Sequence, residues 1–312
     1  MRGDFRIDSN DNTLFTTARC NNNCVMCCQP PLNNDDIDEL FEQNIAIIDR
    51  APKDIPVVGI SGGEPTLLGD KLIELIKHIR TTLPDADIHI LSNGRNFKDI
   101  DYSRRVVEAA DDKLFVGIPL HSDYYRDHDI IAGAKEAYNE TMAGIFNLAA
   151  FGAAIELRIV INKLNYMRLP QMADFIQKNL PFVAWTAFMA MEHIGHAVSN
   201  ERNIWIEPID YADKLTEAVL TLAKWRKEVA VYSVPLCLIP ESIHPYAQKS
   251  ISDWKNKYLP ECDHCPLKLK CCGLFATSQK TFKSISAHGY SNETSGVSLF
   301  LRCNKGTISL KN

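Results

Sequence analysis

Short runs of β-branched and apolar residues recur along the chain, at 13–18 (TLFTTA), 56–60 (PVVGI), 87–91 (DIHIL), 113–120 (KLFVGIPL), 154–161 (AIELRIVI) and 183–190 (VAWTAFMA). Each is followed by a stretch with helical spacing. Ile37, Leu40, Phe41, Ile45 and Ile48 form one apolar stripe, and Leu72, Ile76, Ile79 and Leu83 a second. The segment ETMAGIFNLAAFG ends on Gly152, a helix-stop signal, and RLPQMADFIQKNL and YADKLTEAVLTLAKWRKE complete the series. Strand–helix units in series predict a parallel sheet with right-handed crossovers. Six units are too few for the eight of a closed barrel. The pattern therefore predicts an α/β fold, a partial (β/α)6 TIM-type barrel over 13–228, preceded by a short segment (1–12) and followed by a cysteine-rich extension (229–312). Functional groups of such sheets sit at the C-terminal ends of the strands, so the residues just after each run are the candidates.

Composition removes several alternatives. A net charge of -5 offers no electrostatic basis for binding nucleic acid or an anionic membrane. No apolar run reaches the roughly 18 residues of a spanning helix. The polar start, MRGDFRIDSNDN, lacks a signal-peptide core, so a cytoplasmic location is expected. In a reducing compartment, ten cysteines point to metal binding or chemistry rather than to structural disulfides. Most fall into two groups: Cys20, Cys24, Cys27 and Cys28, then Cys262, Cys265, Cys271 and Cys272.

The first group lies directly after the first strand as Cys20-x3-Cys24-x2-Cys27, with asparagines filling the first gap. Three thiolates can hold three irons of a cubane [4Fe–4S] cluster and leave the fourth open. A structural zinc site is the competing reading, although such sites are closed by four ligands and no second Cys or His pair lies nearby. Cys28, next to Cys27, reads as a small buried apolar side chain. The second strand runs into SGGEPT, where Gly62 and Gly63 permit close backbone approach and Glu64 can receive an ammonium group.

Together, CNNNCVMC and SGGEPT resemble the radical S-adenosylmethionine (SAM) superfamily. The resemblance covers roughly residues 13 to 195. It implies that the open iron binds the amino and carboxylate groups of SAM, which is cleaved reductively to a 5′-deoxyadenosyl radical that takes hydrogen from a substrate. On this resemblance Cys20, Cys24 and Cys27 are the catalytic cluster ligands. Gly62, Gly63 and Glu64 hold the amino group, and Met26, where the family usually has an aromatic residue, packs on the adenine. Ser92 and Asn93 after strand three are polar contacts to the cofactor, or simply a turn. Arg158 within strand five meets the cofactor carboxylate or an internal acid. The backbone near Gly195 approaches adenine, while His193 and His196 are architectural. His121, Asp123, His128 and Asp129 form a polar loop that positions ribose or substrate, or lies on the surface.

The second group resembles the SPASM or twitch extension of the same superfamily. That implies one auxiliary [4Fe–4S] cluster on Cys237, Cys262, Cys265 and Cys271, with Cys272 and Cys303 as alternative ligands and zinc as the alternative metal. Three stretches, TARCNNNCVMCCQPP, HDIIAGAKEAYNETMAGIFNLAAFG and KSISDWKNKYLPECDHCPLKLKCCGLFATS, are most similar to the His-Xaa-Ser system radical SAM maturases. A peptide substrate and a one-electron donor of flavodoxin or ferredoxin type follow from that resemblance. A radical enzyme acting on a metabolite, and a non-enzymatic iron–sulfur or zinc scaffold, are the alternatives.

Overall fold

The computed structural model describes residues 12–249, 256–280 and 282. Its centre is one sheet of parallel strands in sequence order: β1 (Asn12–Phe15), β2 (Val57–Ser61), β3 (Asp87–Leu91), β4 (Leu114–Pro119), β5 (Ala154–Ile161), β6 (Trp185–Ala190), β7 (Val229–Tyr232) and β8 (Ala247–Gln248). The helices are α1 (Ile37–Asp49), α2 (Asp70–Thr82), α3 (Ile100–Ala110), α4 (Tyr125–Ala132), α5 (Ala137–Ala150), α6 (Leu169–Asn179), α7 (His196–Ser199), α8 (Glu201–Ile204) and α9 (Pro208–Lys224). A two-stranded antiparallel pair, β9 (Asn256–Lys257) with β10 (Leu274–Phe275), follows.

The strand count corrects the six-unit expectation. β7 adds to β6 from Thr186↔Val229 to Met189↔Tyr232, and β8 adds two further residues, so the sheet continues past residue 228 as eight parallel strands. Neither is long enough to show a periodicity of its own; β6 and β7 supply the pairing that makes them strands. At the other edge β1 stops at Phe15. The next residue still bonds the end of β2, with Thr16 N and Thr16 Oγ1 both donating to the Ser61 carbonyl at 2.9 Å.

The period of two along each strand sorts the two faces. Val58, Ile60, Ile88, Ile90, Val116, Ile118, Leu157 and Ile159 are fully buried beneath the helices and share one core with Leu72, Ile76 and Ile79 of α2. Each such side chain stabilises the fold by about 1.5–3 kcal/mol through burial. The alternate positions face the concave side. There the strands carry Phe15, Ser61, His89, Leu91, Arg158, Val160, Met189 and Tyr232, all half-buried. An apolar convex face and a partly open concave face put the available binding surface inside the curve of the sheet and at its C-terminal rim.

Candidate functional site

The segment between β1 and α1 carries the first cysteine group and is neither helix nor strand. Backbone bonds from the rim hold it instead. From the β2 side, Gly63 N donates to the Thr17 carbonyl at 2.6 Å and Glu64 N to the Arg19 carbonyl at 2.8 Å. From α4, Asn23 N donates to the Ala132 carbonyl at 3.0 Å and Val25 N to that of Ile131 at 2.9 Å. From the β6 side, His196 N donates to the Cys27 carbonyl at 2.9 Å.

Glycines make this contact possible. A Cβ on Gly63 would lie 2.1 Å from the Arg19 carbonyl oxygen, and one on Gly133 2.1 Å from that of Asn23. Gly62 and Gly195 press in the same way against Thr17 and Cys27. The sequence assigns the close approach at Gly62, Gly63 and Gly195 to a ligand. In the structure the approach is to the cysteine loop itself.

The three asparagines between Cys20 and Cys24 dock on three different partners. Asn21 Oδ1 accepts from Asn93 Nδ2 at 2.6 Å, Asn22 Oδ1 accepts from Arg95 Nη1 at 2.8 Å, and Asn23 Oδ1 lies 2.9 Å from His196 Nε2. Arg95 also donates to the Asn21 carbonyl, and its Nε bonds Glu140 of α5 at 2.6 Å. Sequence reasoning missed Arg95. Its position just after β3 was the available signal, but its partners lie some 45 and 74 positions away.

The thiols themselves are half-buried and close enough to repel one another as thiolates. Burial, then the charges of Cys27 and Cys20, push the Cys24 pKa up to about 12. Burial, then Cys28, pushes Cys27 up to about 12, and burial also raises Cys20. Such a set ionises only when a positive centre joins it. Among the described residues no group of three or more His, Cys, Asp or Glu side chains converges on a single metal ion. Ligands to three different irons of a cubane have no need to converge on one point, so the thiol chemistry and the missing fourth ligand fit a site-open cluster. Cys28 is exposed, which corrects its reading as a buried side chain; its neighbour's carbonyl is turned to the β6 loop, leaving its own side chain at the surface.

Glu64 is fully buried and its carboxylate is already shared among four donors. Oε1 accepts from Thr66 N at 3.0 Å, Thr66 Oγ1 at 2.6 Å and Ser92 Oγ at 2.7 Å; Oε2 accepts from Asn93 N at 2.7 Å. Burial raises its pKa against the pull of those donors. Glu64 thus ties the loop after β2 to the loop after β3, and it brings Ser92 and Asn93 to the rim beside Cys20, whose sulfur lies 3.8 Å from Asn93 Nδ2. Met26 is buried in a small apolar cluster with Ile131, Met191, Ala197 and Ile204.

Arg158 projects from β5 with its Nε 3.2 Å from Glu156 Oε2, the internal-acid alternative of the sequence reading. His89 Nε2 lies 3.3 Å from the same oxygen. Burial alone would raise the pKa of Glu156, but His89 and Arg158 outweigh it and hold the group below its ordinary value. The expected polar loop after β4 is part helix: His121 and Asp123 lie in the loop, His128 and Asp129 on α4. Asp123 pairs with Arg168 at 2.7 Å, Asp129 accepts from Glu136 N and Tyr138 N, and His121 and His128 are buried. His193 pairs with Glu201 at 3.0 Å.

Cys237, Cys262, Cys265 and Cys271 line one small cavity against β9 and β10, together with Tyr258 and Leu267. The Cys271 sulfur accepts from Leu236 N and Gly273 N, each at 3.4 Å. A hydrogen bond from the Cys272 thiol, then these amides, lowers its pKa to about 6, so it is ready to act as a thiolate ligand. Cys272 is buried and does not line the cavity; Cys303 lies outside the described residues.

Comparison with known proteins places these features in context. Residues 14–176 match the family model described as the Radical SAM superfamily. The chain is 31% identical over 165 residues to Fe-coproporphyrin III synthase of Methanosarcina barkeri (strain Fusaro / DSM 804), covering 52% of this chain and 39% of that protein. It is 29% identical over 160 residues to pre-heme d1 synthase of Dinoroseobacter shibae (strain DSM 16493 / NCIMB 14021 / DFL 12), covering 50% and 37%. The match thus spans less than half the length of either curated relative. Among solved structures, Streptococcus suis SuiB bound to S-adenosylmethionine superposes with a TM-score of 0.55 at 15% identity, over 81% of this chain and 54% of that one. Native anSMEcpe with bound AdoMet and the Kp18Cys peptide gives 0.55 at 15%, over 70% and 62%. At that identity the likeness is one of fold.

Proposed function

Because the chain belongs to the Radical SAM superfamily, we propose that it is an enzyme that cleaves SAM reductively and removes hydrogen from a ribosomally made peptide. The observation that carries the first half is the trio Cys20, Cys24 and Cys27, clamped to the rim of the barrel while the loop's fourth thiol, Cys28, is exposed. These cysteines hold three irons of a [4Fe–4S] cluster. The cluster and SAM, when bound, supply a one-electron cleavage and a 5′-deoxyadenosyl radical.

The chain's own residues position and shield. Backbone near Gly62 and Gly63, on loops that Glu64 locks together, receives the SAM amino group. Ser92, Asn93 and Arg158 meet its polar groups, and Met26 and Gly195 border the adenine. Apolar side chains of the concave face, among them Leu91, Val160 and Met189, exclude water from the carbon to be attacked. Cys237, Cys262, Cys265 and Cys271 hold an auxiliary [4Fe–4S] cluster in a SPASM- or twitch-like extension. A cytoplasmic location and a flavodoxin- or ferredoxin-type electron donor belong to the same proposal; among the described residues no helix is long and apolar enough to cross a membrane.

The peptide half rests on the similarity to His-Xaa-Ser system maturases. A solved structure of SuiB bound to its precursor peptide SuiA, with a TM-score of 0.52 at 15% identity, illustrates that this fold admits a peptide. A metabolite substrate of tetrapyrrole type is the second reading, favoured by the two curated relatives, whose names are those of porphyrin and haem synthases. Anaerobically reconstituted protein offered a His-Xaa-Ser repeat peptide or an iron porphyrin decides between them. A mass change in the peptide supports the first reading; a change only in the porphyrin supports the second.

A further inference from the structure

His121 follows β4 and is 2% exposed. Its Nε2 lies 3.9 Å from the sulfur of Cys24, and its Nδ1 has no hydrogen-bond partner among the described residues. A buried architectural histidine normally satisfies both ring nitrogens within the core, one as donor and one as acceptor. Here, among the described residues, the one polar atom within hydrogen-bonding reach of a ring nitrogen is a sulfur of the cysteine loop.

The ring is held there from two sides. The His121 amide donates to His128 Nδ1 at 3.3 Å, and the His121 carbonyl accepts from Asn165 Nδ2 at 3.0 Å. Asn165 is fixed in turn, accepting from Asn162 N at 2.9 Å. The two imidazoles pack at 5.0 Å between centroids. Of the two ring nitrogens, Nε2 is the one turned to the sulfur. A ligated thiolate only accepts. The proton therefore belongs on Nε2, and the bare Nδ1 is the cost of that choice.

We propose that His121 is a positioning and tuning residue for the first cluster, donating Nε2–H to the sulfur of Cys24. This rests on the reading that Cys24 ligates a cluster. Hydrogen bonds to ligand sulfurs stabilise the more negative, reduced state and so make a cluster easier to reduce. Reduction of this cluster is the step that admits the electron, which gives the contact a function beyond packing.

The test uses the full chain, reconstituted without oxygen, as wild type, His121→Gln and His121→Asn. A Gln amide nitrogen reaches the place of Nε2, whereas that of Asn stops near the place of Nδ1. Reductive titration is followed by the electron paramagnetic resonance signal that changes on adding SAM, which separates this cluster from any other. At the potential that half-reduces wild type, the reduced-to-oxidised ratio should fall about three- to tenfold in the Asn variant and stay within about twofold in the Gln variant. Loss of that signal from the Asn variant alone would also support the donor role. Equal titration of all three proteins, or the same shift or loss in both variants, would overturn it. Absence of a SAM-responsive signal from wild type as well would overturn the cluster reading and this inference with it.

Discussion

Gly195 faces Cys27 so closely that a Cβ added to it would stand 2.4 Å from the Cys27 carbonyl oxygen. Its φ is 56°, a conformation glycine adopts without strain, and the following amide of His196 donates to that same carbonyl. Gly195→Ala therefore meets both backbone strain, about 1–3 kcal/mol, and a clash with the Cys27 carbonyl. The variant should keep its helix and strand content and lose most of the iron of the first site. Circular dichroism with iron analysis checks this; wild-type iron content would show that the contact yields without moving Cys27.

Arg95 braces the cysteine loop through Asn21 and Asn22 and is itself braced by Glu140. Arg95→Ala leaves those acceptors without their shared donor, Nη1, in a largely buried setting. Charge-assisted bonds of this kind contribute about 1.5–3 kcal/mol each before compensation by water. The apo protein should lose about 2–3 kcal/mol in urea unfolding, and Arg95→Lys should recover less than half of it, because one ammonium cannot reach both the asparagines, which Nη1 bonds, and Glu140, which Nε bonds.

Glu156 gives a pH-dependent prediction. Its folded pKa lies below the ordinary carboxylate value, so the unfolded chain binds the proton more readily. The resulting stability is present above the unfolded pKa, near 4.5, and is lost as the pH falls through the lower folded value. Glu156→Gln should flatten that acid limb and cost roughly 3 kcal/mol at neutral pH by stranding Arg158. Urea midpoints between pH 3 and 7 measure both effects; an unchanged acid limb would mean that Glu156 has the same pKa folded and unfolded.

Most of this architecture was legible in the sequence, and the omissions share a cause. Runs such as DIHIL and AIELRIVI show their strands directly because burial of one face imposes a period of two; the structure places β3 and β5 at the same residues. β7 and β8 were not legible, since VAVY and AQ are too short to carry a period and depend on a neighbour for their bonds. Cysteine spacing and the Gly-Gly-Glu turn pointed to the rim. The network around them did not, because Arg95 and Gly133 reach the loop across dozens of positions. Three consecutive asparagines were the one local trace of that network, each needing a side chain short enough to bond without leaving the loop.

The second cysteine group should separate from the first. Replacing Cys262 and Cys265 together by Ala removes two thiols that line the cavity beside β9 and β10 and should abolish the proposed auxiliary cluster. Cleavage of SAM to 5′-deoxyadenosine should persist, uncoupled from product, if the electron enters at the proposed first cluster. Zinc and a single cluster in wild-type protein purified without oxygen would contradict the auxiliary reading.

The central claim is that Cys20, Cys24 and Cys27 hold the cluster at which SAM is cleaved. Joint replacement of the three by Ala, followed by incubation with dithionite and SAM, tests it most directly, with 5′-deoxyadenosine quantified against wild type. The account predicts steady formation by reconstituted wild type and none by the variant, with one cluster's worth of iron missing. Equal formation by both, or no loss of iron, would contradict it.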